Sequence, residues 1–373
     1  MKQHLKEIYL TLRKIFLDFL SVLFFREKIA DSDGHEDIRK ILFVRIDRIG
    51  DLVLSTPAIK ALKQQYPQAG LFVMASRSNF SILKQNPYID QVVVFDRRQT
   101  LIQKIKCVML LRENHFDLAV DPYADYEMFT ALITFLSGAH KRIGYAAFGR
   151  ELFFNVQPPV IKKEQHFIDQ TLGILEPLGI MAADKAPQIF LSADERNWSI
   201  KLLQEKVLTG KPLVGLHPGA FYESQRWPYQ QFADLITLLQ KDGRFHLILF
   251  GGPAEKNLIE KIVSMAPQKL FTYITDNLRR FAALLAACQL LVCNNSGPLH
   301  MAVALNVPTI STMGPTNKDR WMPMGPDHQV FRIDDLPCIG CNLGYCKIKT
   351  HDCMRLITPI MIRRAIYQCL NIS

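Results

Sequence analysis

The sequence lacks most of the features that would assign it quickly. It has no G-x-G-x-x-G loop, so the dinucleotide fingerprint is excluded, and no G-x-x-x-x-G-K-[ST] loop, so it is not a P-loop NTPase. Internal repeats and low-complexity tracts are absent, which argues against a solenoid. No five or six basic residues run consecutively and no aromatic-basic RNA signature occurs, so nothing supports a nucleic-acid partner. One D-x-D spacing exists, Asp31-Ser32-Asp33, in a polar stretch that reads as solvated linker charge and not as a metal site.

What is present is a chain of 373 residues, 49% apolar and with a formal charge of +10. That length is too great for one ordinary core and comfortable for two α/β domains. The positive balance favours an acidic partner such as anionic lipid or a phosphorylated substrate. Of 8 cysteines, Cys107, Cys288, Cys293 and Cys369 stand singly in apolar or helical contexts and read as small buried hydrophobes. Cys338, Cys341, Cys346 and Cys353 are clustered; structural zinc, a disulfide set and plain reduced thiols are all open readings.

Residues 1–36 stand apart. Ile8, Leu12, Ile15, Phe19 and Leu23 recur at helical spacing with Lys2, Lys6, Arg13 and Lys14 among them. Arg13, Lys14 and Asp18 interrupt the run, which makes it poor as a spanning helix. It reads either as a helix lying in a membrane interface or as one packed on protein. From Ile41 onward strands and helices alternate, which predicts doubly wound parallel sheets covered by helices on both faces. The domains expected are 1–36, helix and linker; 37–187, the first sheet domain; 188–358, the second; and 359–373, an amphipathic helix able to pack back on the first domain. Ligands of such sheets bind beyond the carboxyl ends of the strands, here in a cleft expected between the domains.

Several post-strand loops carry chemistry. Arg45-Ile46-Asp47-Arg48-Ile49-Gly50-Asp51 follows the first strand. Asp51 begins a helix, where it is either a cap or a general base held against Arg45 or Arg48. In the second domain, His217-Pro218-Gly219-Ala220 leads to Gln225-Arg226-Trp227-Pro228, and Gly251-Gly252-Pro253-Ala254-Glu255 follows another strand. Gly219 permits close backbone approach, Arg226 can neutralise a phosphate, and Glu255 can accept from ribose hydroxyls. Asn294-Asn295-Ser296-Gly297-Pro298 opens a helix whose free N–H groups suit a diphosphate, with His300 on its first turn. Gly314-Pro315-Thr316 follows the last strand of the set. An anion-holding second domain and a carboxylate-bearing first domain are what inverting sugar transfer requires.

These segments, VRIDRIGDLVLSTPAIKALKQQYP, GLHPGA, RWPYQQFADL, GGPAE, NNSGPLHMAVALNVPTI and MGPT, resemble the heptosyltransferase family, glycosyltransferase family 9. The resemblance implies a GT-B fold of two Rossmann-like domains, with no cofactor and no catalytic metal. It implies a nucleoside-diphosphate-heptose donor, usually ADP-heptose, and a lipid-anchored lipopolysaccharide inner-core acceptor at the cytoplasmic face of the inner membrane. The family's catalytic aspartate falls on Asp51 and its donor contacts on Glu255, Ser296, Gly297 and His300. Gly219, Arg226 and Asn295 join the expected donor site; Arg45 and Arg48 are expected at the acceptor. Two departures stand out: Gln225 where the family often has Lys, and Asn295 where it usually has Asp. Rival expectations are another nucleotide sugar or acceptor, an epimerase-like isomerase acting on the sugar nucleotide alone, or a non-catalytic binding relative.

Overall fold

The computed structural model describes residues 37–160 and 165–372; the helix and linker expected over residues 1–36 lie outside them. The chain divides into two compact units after Lys185.

The first unit is built on a five-stranded, wholly parallel sheet in the order β3-β2-β1-β4-β5: β1 Lys40–Arg45, β2 Gly70–Ser76, β3 Gln91–Phe95, β4 Leu118–Asp121 and β5 Lys141–Gly144. β1 is apolar almost throughout because both faces are covered, as a central parallel strand requires. Its register sets Ile41 beside Leu71 on one side and Leu118 on the other. The chain winds outward through β2 and β3, then crosses back to β4, so β1 and β4 flank the switch point where such sheets take ligands. Two helices follow β1, Ile49–Val53 and Thr56–Gln65, where the apolar periodicity of 52–66 by itself predicts one. Pro57 in the first turn of the second helix lacks the N–H that a continuous helix would need there.

The second unit has a six-stranded parallel sheet in the order β11-β10-β9-β6-β7-β8. Its strands are β6 Leu213–His217, β7 His246–Gly251, β8 Phe271–Ile274, β9 Leu290–Asn294, β10 Thr309–Thr312 and β11 His328–Phe331. The switch point lies between β6 and β9. β11 was not expected: its four residues are all half-buried, so it shows neither alternation nor an apolar run. Trp227 is buried in the core beside Phe232, and its indole N–H donates to the Ile357 carbonyl at 2.9 Å.

The last helix, Pro359–Cys369, corrects an expectation. Its Ile362, Ala365 and Ile366 enter the second unit's own core, against the helix Tyr229–Asp242. Truncating the fully buried Ile366 to Ala should cost about 2–5 kcal/mol. Hydrogen exchange locates the effect: protection should fall in β6 and β9 and stay unchanged in β1 and β4.

Candidate functional site

In the first unit the loop after β1 holds the candidate base. Asp51 lies in the first turn of Ile49–Val53 and is half-buried, and its backbone carbonyl accepts from the Ser55 hydroxyl at 2.7 Å. Arg48 precedes that helix and is exposed. Arg45, expected at the acceptor, is instead 1% exposed. Its guanidinium stacks between the Tyr123 and Phe167 rings at 4.7 and 4.9 Å and pairs with Asp47 at 3.4 Å. It acts from beneath the loop.

A second buried pair lies nearby, Arg150 with Asp121 at 2.6 Å, and Tyr123 stands between the two arginines. The Tyr123 hydroxyl faces the Asp47 carboxyl, yet neither it nor Asp47 Oδ1 closes a well-formed hydrogen bond. Burial pushes the Asp47 carboxyl up to about 8, overriding the attraction of Arg45, and the charge of Asp51 adds to the rise. Asn79 fixes the loop from another side by donating to the Asp47 carbonyl at 2.9 Å. Asp47 and Tyr123 were not singled out as functional from the sequence. The i, i+2 charge pair Arg45/Asp47 was the only available signal.

In the second unit the expected donor residues converge at the carboxyl ends of β6, β7 and β9. A Cβ on Gly219 would sit 1.5 Å from Glu255 Oε1, so the glycine is what admits that carboxylate. The other Glu255 oxygen accepts from Gly252 N–H at 2.7 Å and lies 3.6 Å from His217 Nε2. Burial lowers the His217 pKa against the pull of Glu255, so the imidazole is neutral near pH 7. Ser296 reaches the Gly219 carbonyl at 3.4 Å and begins the helix Gly297–Ala304 without a side-chain cap, so the first-turn N–H groups are not taken up by Ser296. His300 is buried on that helix, its ring 6.3 Å from that of Trp321.

The two departures are accommodated by neutral contacts. Gln225 donates to Thr316 Oγ1 at 3.2 Å and Asn295 to the Trp321 carbonyl at 3.3 Å. Arg226 gives its Nε to the Ala220 carbonyl at 2.9 Å. Asn294, which the sequence presented only as turn chemistry, is completely buried and ties β6, β9 and β10 together. The clustered cysteines are free thiols, and among the described residues no three His, Cys, Asp or Glu side chains are placed to hold a metal. Their loop instead buttresses the segment before Arg226: Ser224 Oγ donates to Leu343 O at 2.5 Å and His351 Nε2 lies 2.8 Å from Ser224 O.

The family model described as glycosyltransferase family 9 (heptosyltransferase) matches residues 105–350, more than half of the chain. The chain belongs to glycosyltransferase family 9. This family 9 enzyme is 25% identical over 331 residues to lipopolysaccharide heptosyltransferase 2 of Escherichia coli K12, covering 84% of this chain and 91% of that one. It is 28% identical over 297 residues to lipopolysaccharide heptosyltransferase 3 of the same strain, covering 74% and 82%. Among solved structures, a family 9 glycosyltransferase from Veillonella parvula matches with a TM-score of 0.80 at 21% identity, over 90% of this chain and 98% of that one. The E. coli ADP-heptose lipopolysaccharide heptosyltransferase II matches at 0.72 and 23%, over 89% and 98%. At those identities the structures share the fold, which is GT-B.

Asp47 makes the first unit's stability depend on pH. A carboxyl that keeps its proton to about 8 when folded, against 3.8 ordinarily, contributes stability fully present below the lower value and lost as pH rises through the upper one. Asp47→Asn should remove that slope: between about pH 5 and pH 8 the urea midpoint of the wild type falls more than that of the variant.

Proposed function

We propose that this glycosyltransferase transfers a heptose from ADP-heptose to a lipopolysaccharide inner-core acceptor with inversion, using Asp51 as the general base. The observation that carries the reading is the convergence of Gly219, Glu255 and the uncapped start of Gly297–Ala304 at one sheet switch point in a family 9 chain. The names of its relatives supply the sugar and the acceptor class: lipopolysaccharide heptosyltransferases 2 and 3, and a solved ADP-heptose enzyme.

In this reading Glu255 accepts from the nucleoside's ribose hydroxyls; its carboxylate is held by Gly252 N–H and occupies the space that the missing Gly219 side chain leaves. The diphosphate meets the first-turn N–H groups of Gly297–Ala304, a positive dipole end, with Arg226 adding a full charge and His300 a further donor. The acceptor hydroxyl attacks the anomeric carbon as the bond from that carbon to the diphosphate oxygen breaks. Asp51 takes the hydroxyl proton, and ADP leaves with both electrons of the broken bond. Arg45 acts through Asp47 and contributes charge below the loop; Arg48, exposed on the loop, adds a cation toward an anionic acceptor.

Asp51→Asn should keep ADP-sugar affinity by calorimetry and lose transfer by about 10²- to 10⁴-fold. Undiminished turnover would remove Asp51 from the role. Gly219→Ala pushes a methyl group onto Glu255 and should weaken donor binding about tenfold or more, since a site without room for the added carbon must shift its carboxylate. Product masses from a panel of nucleotide sugars and truncated core lipids test the sugar and the acceptor directly.

A further inference from the structure

The helix Leu101–Glu113 in the first unit turns the wrong side outward. Leu101, Ile102, Ile105, Met109 and Leu110 are 72, 67, 50, 56 and 61% exposed, whereas Leu111 is its one fully buried residue. A helix covering a sheet in water normally presents polar residues outward, and single exposed apolar side chains need no explanation, but five on one thirteen-residue helix do. The apolar surface continues into a groove of about 420 Å³ shared with the edge strand β3, lined by Val93, Val94, Lys106 and Leu110. No acidic residue occurs between Asp96 and Glu113, a span that holds Arg97, Arg98, Lys104, Lys106 and Arg112. Arg97 is tied to Glu127; Lys106 and Arg112 are exposed on the helix itself.

We propose that this face docks on a bilayer surface bearing anionic lipid headgroups. Apolar side chains flanked by Lys and Arg are the pattern of a helix seated at the boundary of acyl chains and headgroups, and basic residues beside it draw it to negative lipid. A second copy of the chain is the poorer occupant, because it would bring the same basic rim against itself. The described chain starts next to this surface: Lys40 Nζ donates to the carbonyl of Asn114, at the end of the helix, at 3.0 Å. The inference extends the reading of a lipid-anchored acceptor: it names the surface that brings the first unit to that lipid.

The test uses the full chain and the double variant Ile105→Glu with Met109→Glu, both at exposed positions outside the proposed catalytic residues. Co-sedimentation with phosphatidylglycerol-containing vesicles should fall more than tenfold in the variant. Wild-type binding should weaken in high salt and on pure phosphatidylcholine. Transfer to an acceptor freed of its lipid should stay at the wild-type level, while transfer to the vesicle-borne acceptor drops. Equal vesicle binding by both proteins overturns the proposal, as does a change in oligomeric state on light scattering, which would assign the face to a second copy. Loss of transfer to the lipid-free acceptor overturns it too, by assigning the helix to the site. If the wild type transfers to neither acceptor, the transferase reading fails while the vesicle result still decides the docking surface.

Discussion

Asn294 uses its whole carboxamide inside the second sheet. Its Nδ2 donates to the carbonyls of Pro218 and Gly219 at 2.8 and 3.2 Å, and its Oδ1 accepts from Trp227 N–H at 2.8 Å and the Thr312 hydroxyl at 2.9 Å. Four backbone or side-chain groups from β6's following loop, the Trp227 segment and β10 thus converge on one side chain at the end of β9. Without it three of the four would be buried and unpaired, at about 1–3 kcal/mol apiece, and the Gly219 carbonyl would keep only the 3.4 Å contact from Ser296 Oγ. The Gly219 backbone is held where Glu255 can occupy the space a side chain would take, and Ser296 reaches the same carbonyl. The loops at the carboxyl ends of β6 and β9 are therefore preset by a buried polar contact.

The first unit follows a different principle. Two arginines that are almost fully buried lie against Tyr123, paired with Asp47 and Asp121. The Arg150–Asp121 ion pair contributes little net stability, because desolvation offsets most of its attraction, and Arg45 faces a carboxyl that burial keeps protonated near pH 7. Several of their atoms also lack hydrogen-bond partners, among them Arg45 Nε, Asp47 Oδ1 and Arg150 Nε. The arrangement keeps charge in a low-dielectric layer under the loop that carries Asp51, whose own charge acts on both Arg45 and Asp47. Stability there is exchanged for an electrostatic setting around a candidate base.

The cysteine-bearing loop shows how a suggestive spacing can serve packing. Ser224 and His351 bind it to the segment leading to Arg226, and Arg332 adds bonds to the Gly314 and Thr316 carbonyls at 3.0 and 2.7 Å. That network braces the loop after β10 and the Arg226 segment together. The net positive charge likewise acquires a location: part of it rims the outward apolar face of Leu101–Glu113.

Much was legible in the sequence. Apolar runs bounded by turn residues located β1, β6, β7 and β9, since central parallel strands buried on both faces need continuous apolar residues. Gly, Ser and His placed directly after strands marked the loops that carry Gly219, Glu255, Ser296 and His300, because backbone approach and helix starts demand those residue types locally. What the sequence could not convey were pairings between distant residues. Nothing in Asn294-Asn295 says that the first is the buried hub, and nothing in Arg45 says that Tyr123 and Phe167 close over it. Periodicity showed that Pro359–Cys369 is amphipathic but not which core receives it. Local sequence determined the elements and their loop chemistry; burial, partner choice and the shift of Asp47 were decided only by tertiary packing, because desolvation and charge proximity are properties of the assembled surroundings.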